Sequence, residues 1–177
     1  MKCSASSAGH PAASSPGDGR VVAVAMSGGV DSAVTTALLV KQGYRVFGIT
    51  AKMTQEYSRC CADEDISRAA AMCSQLGIEH HVVDVCDRFQ ESVIDGFMAT
   101  YLSGQTPSPC VICNREIKFG VLLDRALALG ADAIATGHYV RLREFEGRLQ
   151  LRRGVDARKD QSYFLARLTQ DQLQRSM

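Results

Sequence analysis

Apolar and polar positions fall into short alternating blocks along most of the chain. Arg20-Val-Val-Ala-Val-Ala-Met26 is a β-branched apolar run, the pattern of a strand buried on both faces. Ser27-Gly28-Gly29 reads as a turn, and Asp31 to Gln42 has helical periodicity that stops at Gly43. Arg45 to Ala51 predicts a second strand and Asp63 to Leu76 a second helix, closed by Gly77. Glu79 to Val85 predicts a third strand and Asp87 to Leu102 a third helix. A loop holding Gly104, Pro107 and Pro109 comes next. Asn114 to Leu129, with Gly130 behind it, predicts a fourth helix, and Ala131 to Thr136 a fourth strand.

Strands and helices alternating at this spacing predict an α/β fold with a doubly wound parallel sheet. Right-handed crossovers then put ligands at the C-terminal ends of the strands. Beyond His138 the pattern changes. Tyr139 to Arg143 and Arg148 to Arg153 flank Glu146-Gly147 like the arms of a hairpin, and Thr169 suits the cap of a last short helix. Three parts are expected: a disordered tail at 1–19, a nucleotide-binding domain at 20–140 and a separate C-terminal region at 141–177.

A length of 177 residues suffices for one such domain, and 46% hydrophobic with 22% charged residues is an ordinary globular composition. A net charge of +1 excludes a polycation that coats nucleic acid non-specifically. From Gly137 to Met177, however, nine Lys/Arg face five Asp/Glu, which fits a polyanion partner as well as it fits a plain solvated surface. No run reaches the roughly 18 apolar residues of a membrane span. The first twenty residues lack the apolar centre of a secretory signal and are poor in Arg. Seven cysteines, an odd count, argue for a reducing, cytoplasmic setting and thiol chemistry. Cys73 and Cys86 sit among apolar neighbours and read as buried, inert thiols, and His80 and His81 as structural.

The strongest chemical signal is Ser27-Gly28-Gly29-Val30-Asp31-Ser32, between strand one and helix one. Glycines permit a tight turn and close backbone approach to a phosphate, and a helix start supplies free N–H groups and a favourable dipole. Ser27 and Ser32 add hydroxyls, and Asp31 is placed to cap the helix and to hold Mg²⁺ on the phosphates. Neither GxxxxGK[ST] nor GxGxxG is present. The segment resembles the PP-loop of ATP pyrophosphatases, the adenine nucleotide alpha hydrolase-like enzymes that cut ATP between its α and β phosphates and adenylate a substrate.

Three further segments narrow the resemblance. Thr106-Pro-Ser-Pro-Cys-Val-Ile-Cys-Asn-Arg-Glu-Ile-Lys-Phe119, Ala135-Thr-Gly-His-Tyr139 and Lys159-Asp-Gln-Ser-Tyr-Phe-Leu165 look like segments of the tRNA-specific 2-thiouridylases, in the same order. The resemblance implies an ATP site at Ala25, Met26, Ser27, Gly28, Gly29, Val30, Asp31 and Ser32, with Met53 beside the adenine and Gly137 at the end of strand four. It implies that Cys113 is the nucleophile carrying sulfur as a persulfide, delivered by a sulfur-donor protein. Ser108, Pro109 and Cys110 would lie near the target base, and Lys159, Asp160 and Gln161 would contact the tRNA. The implied activity is ATP-dependent 2-thiolation of uridine 34, with ATP and Mg²⁺ as cofactors. Independently, Cys113 sits at the start of the predicted fourth helix, near Arg115 and Lys118, where dipole and charge favour a thiolate. A buried cysteine in a capping loop is the alternative.

Two departures from the family stand out. Its second cysteine and closing β-barrel lie beyond Met177, so the chain reads as truncated, with residues 141–177 the start of a tRNA-binding region. Cys110 stands where relatives carry Asp, making Cys110-x-x-Cys113 a pair that could be a nucleophile with a bystander, a resolving dithiol, or two ligands of an Fe–S cluster or metal. A four-ligand site needs more cysteines, and Cys60-Cys61 could approach only if its loop folds over the site. Another PP-loop nucleotidyl-activating synthetase, and an ATP- or tRNA-binding remnant, are the competing functions.

Overall fold

The structure, a computed structural model, describes residue 17, residues 19–54 and residues 63–177. Nearly all of the expected tail and the Cys60–Cys61 pair lie outside these residues. Strands β1 (Val21–Ala25), β2 (Arg45–Lys52), β3 (His80–Asp84) and β4 (Ala133–Ala135) form one parallel sheet in the order β3-β2-β1-β4. Helix α1 (Val30–Lys41) and helix α2 (Asp63–Gln75) connect the first three strands. Two longer helices then carry the chain back past β1 to β4. Helix α3 occupies residues 86–102 and helix α4 residues 109–128. A hairpin, β5 (Val140–Phe145) with β6 (Arg148–Arg153), a 3₁₀ turn (Ser162–Leu165) and α5 (Gln170–Gln174) complete the chain. The doubly wound parallel sheet with a small hairpin and helix extension is as expected from the sequence.

Side-chain alternation along β1 explains the two layers. Val22 and Val24 point to one face, where Leu39 of α1 and Ala69 and Cys73 of α2 cover them. Ala23 points to the other, joining Phe47 and Ile49 of β2 under Phe89 and Val93 of α3 and Ile117 and Leu122 of α4. Leu165 belongs to this second core, and Leu151 and Leu168 pack against it, so the C-terminal elements close over the α4 side. Main-chain groups of Arg175 and Met177 also bond to Ile134, extending the β4 edge. Thr169 caps α5 as expected, in a reciprocal box with Gln172. Gln172 in turn donates to the carbonyls of Arg115 and Phe119 in α4.

Two longer helices depart from ideal winding. Each contains a π-helical stretch, at Gln90–Ile94 and at Cys113–Val121, and α4 also bends at Gly120. The start of α4 corrects the expected boundary at Asn114: the helix opens at Pro109, five residues earlier. Proline suits the first helical position because its φ is preset and its missing N–H has no partner to lose there. The two histidines of β3 are structural, as expected: His80 pairs with the Thr50 hydroxyl at 2.8 Å and His81 stacks edge-on with Phe47. Among the described residues, no helix is long and apolar enough to cross a membrane.

Cys73 is fully buried, and burial pushes its thiol pKa up. Cys86 is only half-buried, contrary to expectation: it is the first residue of α3, and its N–H donates to the Asp84 carboxylate at 3.0 Å. Cys73 packs onto Gly48, where a Cβ would fall 2.5 Å from the sulfur. Gly48→Ala is expected to destabilise the fold by about 1–3 kcal/mol through overpacking, and Cys73→Ala in the same chain should recover part of that loss. Urea denaturation of the two single variants and the double variant measures it.

Candidate functional site

The turn after β1 is shaped by sterics before any ligand is considered. Gly28 has φ +71°, and a Cβ there would lie 2.6 Å from the Asp65 carbonyl oxygen at the start of α2. Gly29 is the N-cap of α1 in an extended conformation, and no side chain caps the helix. The end of the helix that carries the positive dipole therefore faces the C-terminal edge of the sheet without an internal partner. Asp31 is not the cap that the sequence suggested. It is the second helical residue, and its Oδ1 accepts a hydrogen bond from the Tyr139 hydroxyl at 2.8 Å. Ser32 is buried, and its hydroxyl donates to the Gly29 carbonyl at 3.0 Å, bracing the turn from inside.

Thr136, Gly137 and His138 leave β4 directly opposite this turn. A Cβ on Gly137 would lie 2.9 Å from the carbonyl carbon and Cβ of Asp31 and 3.0 Å from the Ser32 nitrogen. The glycine is thus required for contact between the β4 exit and the first turn of α1. This contact lies between β1 and β4, where successive crossovers reverse direction, the place where open α/β sheets bind ligands.

A cleft of about 190 Å³ opens there. Of the expected nucleotide residues, Ala25, Met26, Ser27, Asp31, Ser32, Met53 and Gly137 line it. Gly28 and Gly29 face the adjoining hollow toward α2, and Val30 is 77% exposed. Gln161 reaches the cleft from the C-terminal region; its side-chain oxygen accepts from the Tyr139 N–H at 2.9 Å. His138, beside it, pairs through Nδ1 with the Thr136 hydroxyl at 2.7 Å. Burial, aided by the nearby Lys118 charge, lowers its pKa to about 4, so the ring is neutral at physiological pH.

A second cavity, of about 510 Å³, adjoins the first beneath α3 and α4. Cys110 and Cys113 both line it, together with Phe89 and Phe97 of α3. Ser27, Met53 and Lys118 line both cavities, so the glycine turn and the two cysteines share one side of the sheet. Because α4 starts at Pro109, Cys110 is its second residue and Cys113 lies a turn deeper. The helix-start dipole invoked for Cys113 therefore acts more strongly at Cys110. Arg115, expected to favour the thiolate, also ion-pairs with Glu116 at 3.4 Å. Asn114, read from the sequence only as a helix start and a motif residue, is buried beside Cys113 and donates to the Phe164 carbonyl at 3.1 Å.

The remaining expected contacts divide. Ser108 and Pro109 line a neighbouring apolar groove with Tyr163 and Arg167, next to Cys110. Lys159 is exposed on the segment after β6. Asp160 is a brace: it accepts from the Gly154 N–H at 2.9 Å and the Ser162 hydroxyl at 2.8 Å, which hold its carboxyl below the usual range. Among the described residues, which leave out Cys60 and Cys61, no group of three or more His, Cys, Asp or Glu side chains is arranged to hold a metal ion.

A parallel sheet with a glycine turn at its switch point, opening into a helix N-terminus, defines a PP-loop-type α/β domain. The chain belongs to the family described as "tRNA methyl transferase HUP domain", which matches residues 20–177. Among curated proteins, it is 54% identical over 165 residues to the tRNA-specific 2-thiouridylase MnmA of Bradyrhizobium sp. (strain ORS 278), covering 89% of this chain and 41% of that protein. It is 48% identical over 164 residues to the MnmA of Heliobacterium modesticaldum, covering 88% and 43%. The chain spans about two fifths of the length of these relatives. Among solved structures, the U34-tRNA thiolase NcsA from Methanococcus maripaludis, described with its 4Fe–4S cluster, shares the fold, with a TM-score of 0.51 and 24% identity over 67% of this chain and 38% of that one. The resemblance read from the sequence motifs is thus borne out.

Gly137→Ala is expected to weaken ATP binding at least about tenfold, because the added methyl must displace the first turn of α1; calorimetric titration against wild type tests this. His138 supplies a pH prediction. Its folded pKa of about 4 lies below the unfolded value near 6.5, so the unfolded chain takes up the proton first as pH falls. Its contribution to stability is intact above pH ~6.5 and is lost on the way down to pH ~4, by at most about 3 kcal/mol. Denaturation curves across this window should be flatter in His138→Gln.

Proposed function

We propose that this chain supplies the ATP-binding and thiol-bearing part of an enzyme that replaces the 2-oxygen of uridine 34 in tRNA with sulfur. The observation that carries this reading is the wall shared by the two cavities. An α-phosphate held at the glycine turn would face the thiol of Cys113 across it. The names of the relatives, tRNA-specific 2-thiouridylase and U34-tRNA thiolase, support the same substrate.

The chemistry runs in three steps. The uracil O2 attacks the α-phosphorus of ATP; the bond to the β-phosphate oxygen breaks, pyrophosphate leaves and the N3 proton is released. The terminal sulfur of a persulfide on Cys113, delivered by a donor protein, then attacks C2, and AMP departs with the former O2 and its electron pair. Finally a second thiolate attacks the Cys113 sulfur. The S–S bond breaks, sulfur stays on C2 as the thiocarbonyl, N3 regains a proton and the two cysteines are left as a disulfide. Cys110, one helical turn away in the same cavity, suits this resolving role.

The residues around the cleft support the first step. The uncapped start of α1 and the Ser27 and Ser32 hydroxyls favour phosphate oxygens. Asp31, with Oδ1 engaged by Tyr139, keeps its other oxygen for Mg²⁺, which when bound neutralises phosphate charge. The apolar walls of the second cavity, Phe89, Phe97 and Met53, suit a base turned out of its stack. Lys159 and the neighbouring arginines of the hairpin suit the phosphate backbone.

Pyrophosphate release and 2-thiouridine formation, followed with tRNA bearing uridine 34 and a persulfide donor, test this. Both are measured for this chain and for a version extended to the length of its relatives. Cys113→Ser should keep ATP binding and tRNA-stimulated pyrophosphate release while losing thiouridine formation completely. Thiouridine made by the serine variant, or pyrophosphate release indifferent to tRNA, would point instead to a synthetase of another kind.

A further inference from the structure

We propose that Lys118 is the cation common to both halves of this reaction, its ammonium binding the α-phosphate of the nucleotide and attracting the sulfur anion at Cys113. The inference rests on the thiolation reading and names the residue that couples its two cavities. Lys118 is, among the described residues, the charged side chain that lines both of them. Three arginines of α2, α3 and α4 are engaged with carboxylates. Arg115 pairs with Glu116, Arg88 with Glu91 and Glu116, and Arg68 with Asp65. Among the described residues, no carboxylate lies within ion-pair distance of the Lys118 ammonium. A cation so placed, on walls that include Met53 and Leu122, has anionic ligands as its natural partners.

The helix winding explains why a residue five positions from Cys113 shares its cavity. In an α-helix, five residues turn through about 500°, leaving the side chains roughly 140° apart. In a π-helix the hydrogen bonds run to the fifth residue, which then stacks near the first. The stretch Cys113–Val121 carries hydrogen bonds of this kind and kinks at Gly120, so Lys118 lies in the part wound ahead of the kink. The neighbours of Lys118 hold that rotation: Ile117 and Phe119 are 0% and 3% exposed, and Asn114 is tied to the Phe164 carbonyl. With the backbone locked on both sides, only the flexible stem of the lysine is free to move between ligands. An ammonium there stabilises phosphate charge during adenylation and then the departing AMP, without moving a proton. Its field is already felt in the cleft, where it assists burial in keeping His138 neutral.

Lys118→Gln and Lys118→Arg in this chain test the assignment. Calorimetric titration with adenosine, AMP and ATP should show Lys118→Gln weakening AMP and ATP alike, by about tenfold or more as expected for one charge-assisted contact, with adenosine unchanged. At Cys113, the rate with anionic iodoacetate relative to neutral iodoacetamide, read by peptide mass spectrometry, should fall several-fold. Lys118→Arg should restore both, and thermal melts of both variants establish that they are folded. A loss confined to ATP, or an unchanged alkylation ratio, overturns the proposal. If that happens while wild type binds ATP and Cys113→Ser abolishes thiolation, the coupling role fails and the thiolation reading stands. If wild type binds no ATP, both fail.

Discussion

Between Gly137 and the first turn of α1 there is no room for a methyl group. That close approach joins the end of β4 to the glycine turn, and the rest of the site is hung from it. It presses the β4 exit against an uncapped helix start, where backbone dipoles point outward without a protein partner. It also brings Tyr139 within reach of Asp31 and Gln161 within reach of the cleft. A looser packing would leave the same residues present but unable to share one ligand, since positioning to within a fraction of an ångström is what such sites require.

The second organising feature is the irregular winding of α4. A regular helix from Pro109 would spread Cys110, Cys113 and Lys118 around its surface, whereas the π-helical stretch gathers the lysine onto the cysteine side. The cost of that winding is met by the anchors on either side: Ile117, Phe119 and Leu122 in the core, and the side chains of Asn114 and Gln172 tying α4 to the C-terminal region. The C-terminal elements thus do more than follow the sheet in sequence. Through Leu165 and Gln172 they clamp the helix that carries the thiols.

Much of this was legible in the chain. The four strands, the helices between them, the hairpin and the Thr169 cap all follow from period, glycine stops and cap chemistry, because each is decided by neighbours within one turn or one strand. The misreadings have a common origin. Pro109 read as loop, although proline is as much at home in a first helical turn, so α4 was started late and the dipole assigned to the wrong cysteine. Asp31 read as a cap because aspartate caps helices often, yet the helix opens at Val30 with Gly29 as its N-cap, which puts Asp31 inside the first turn. The pairing of Arg115 with Glu116 was likewise not foreseeable from spacing alone. Asp160, expected from the resemblance to contact tRNA, also braces its own loop by accepting from Gly154 and Ser162, which spacing alone does not reveal.

By itself, the order of residues determined the fold class, the glycine turn at its switch point and the family. These are local or motif-borne properties, carried by spacing along one chain. Tertiary structure decided which side chains face a common space: that Ser27, Met53 and Lys118 wall two cavities at once, that His138 is buried and neutral, and that Asp31 is held by Tyr139. Those facts depend on the rotation of a helix and on the separation of segments more than a hundred residues apart in the chain. Packing against the sheet sets both, and no local pattern encodes either.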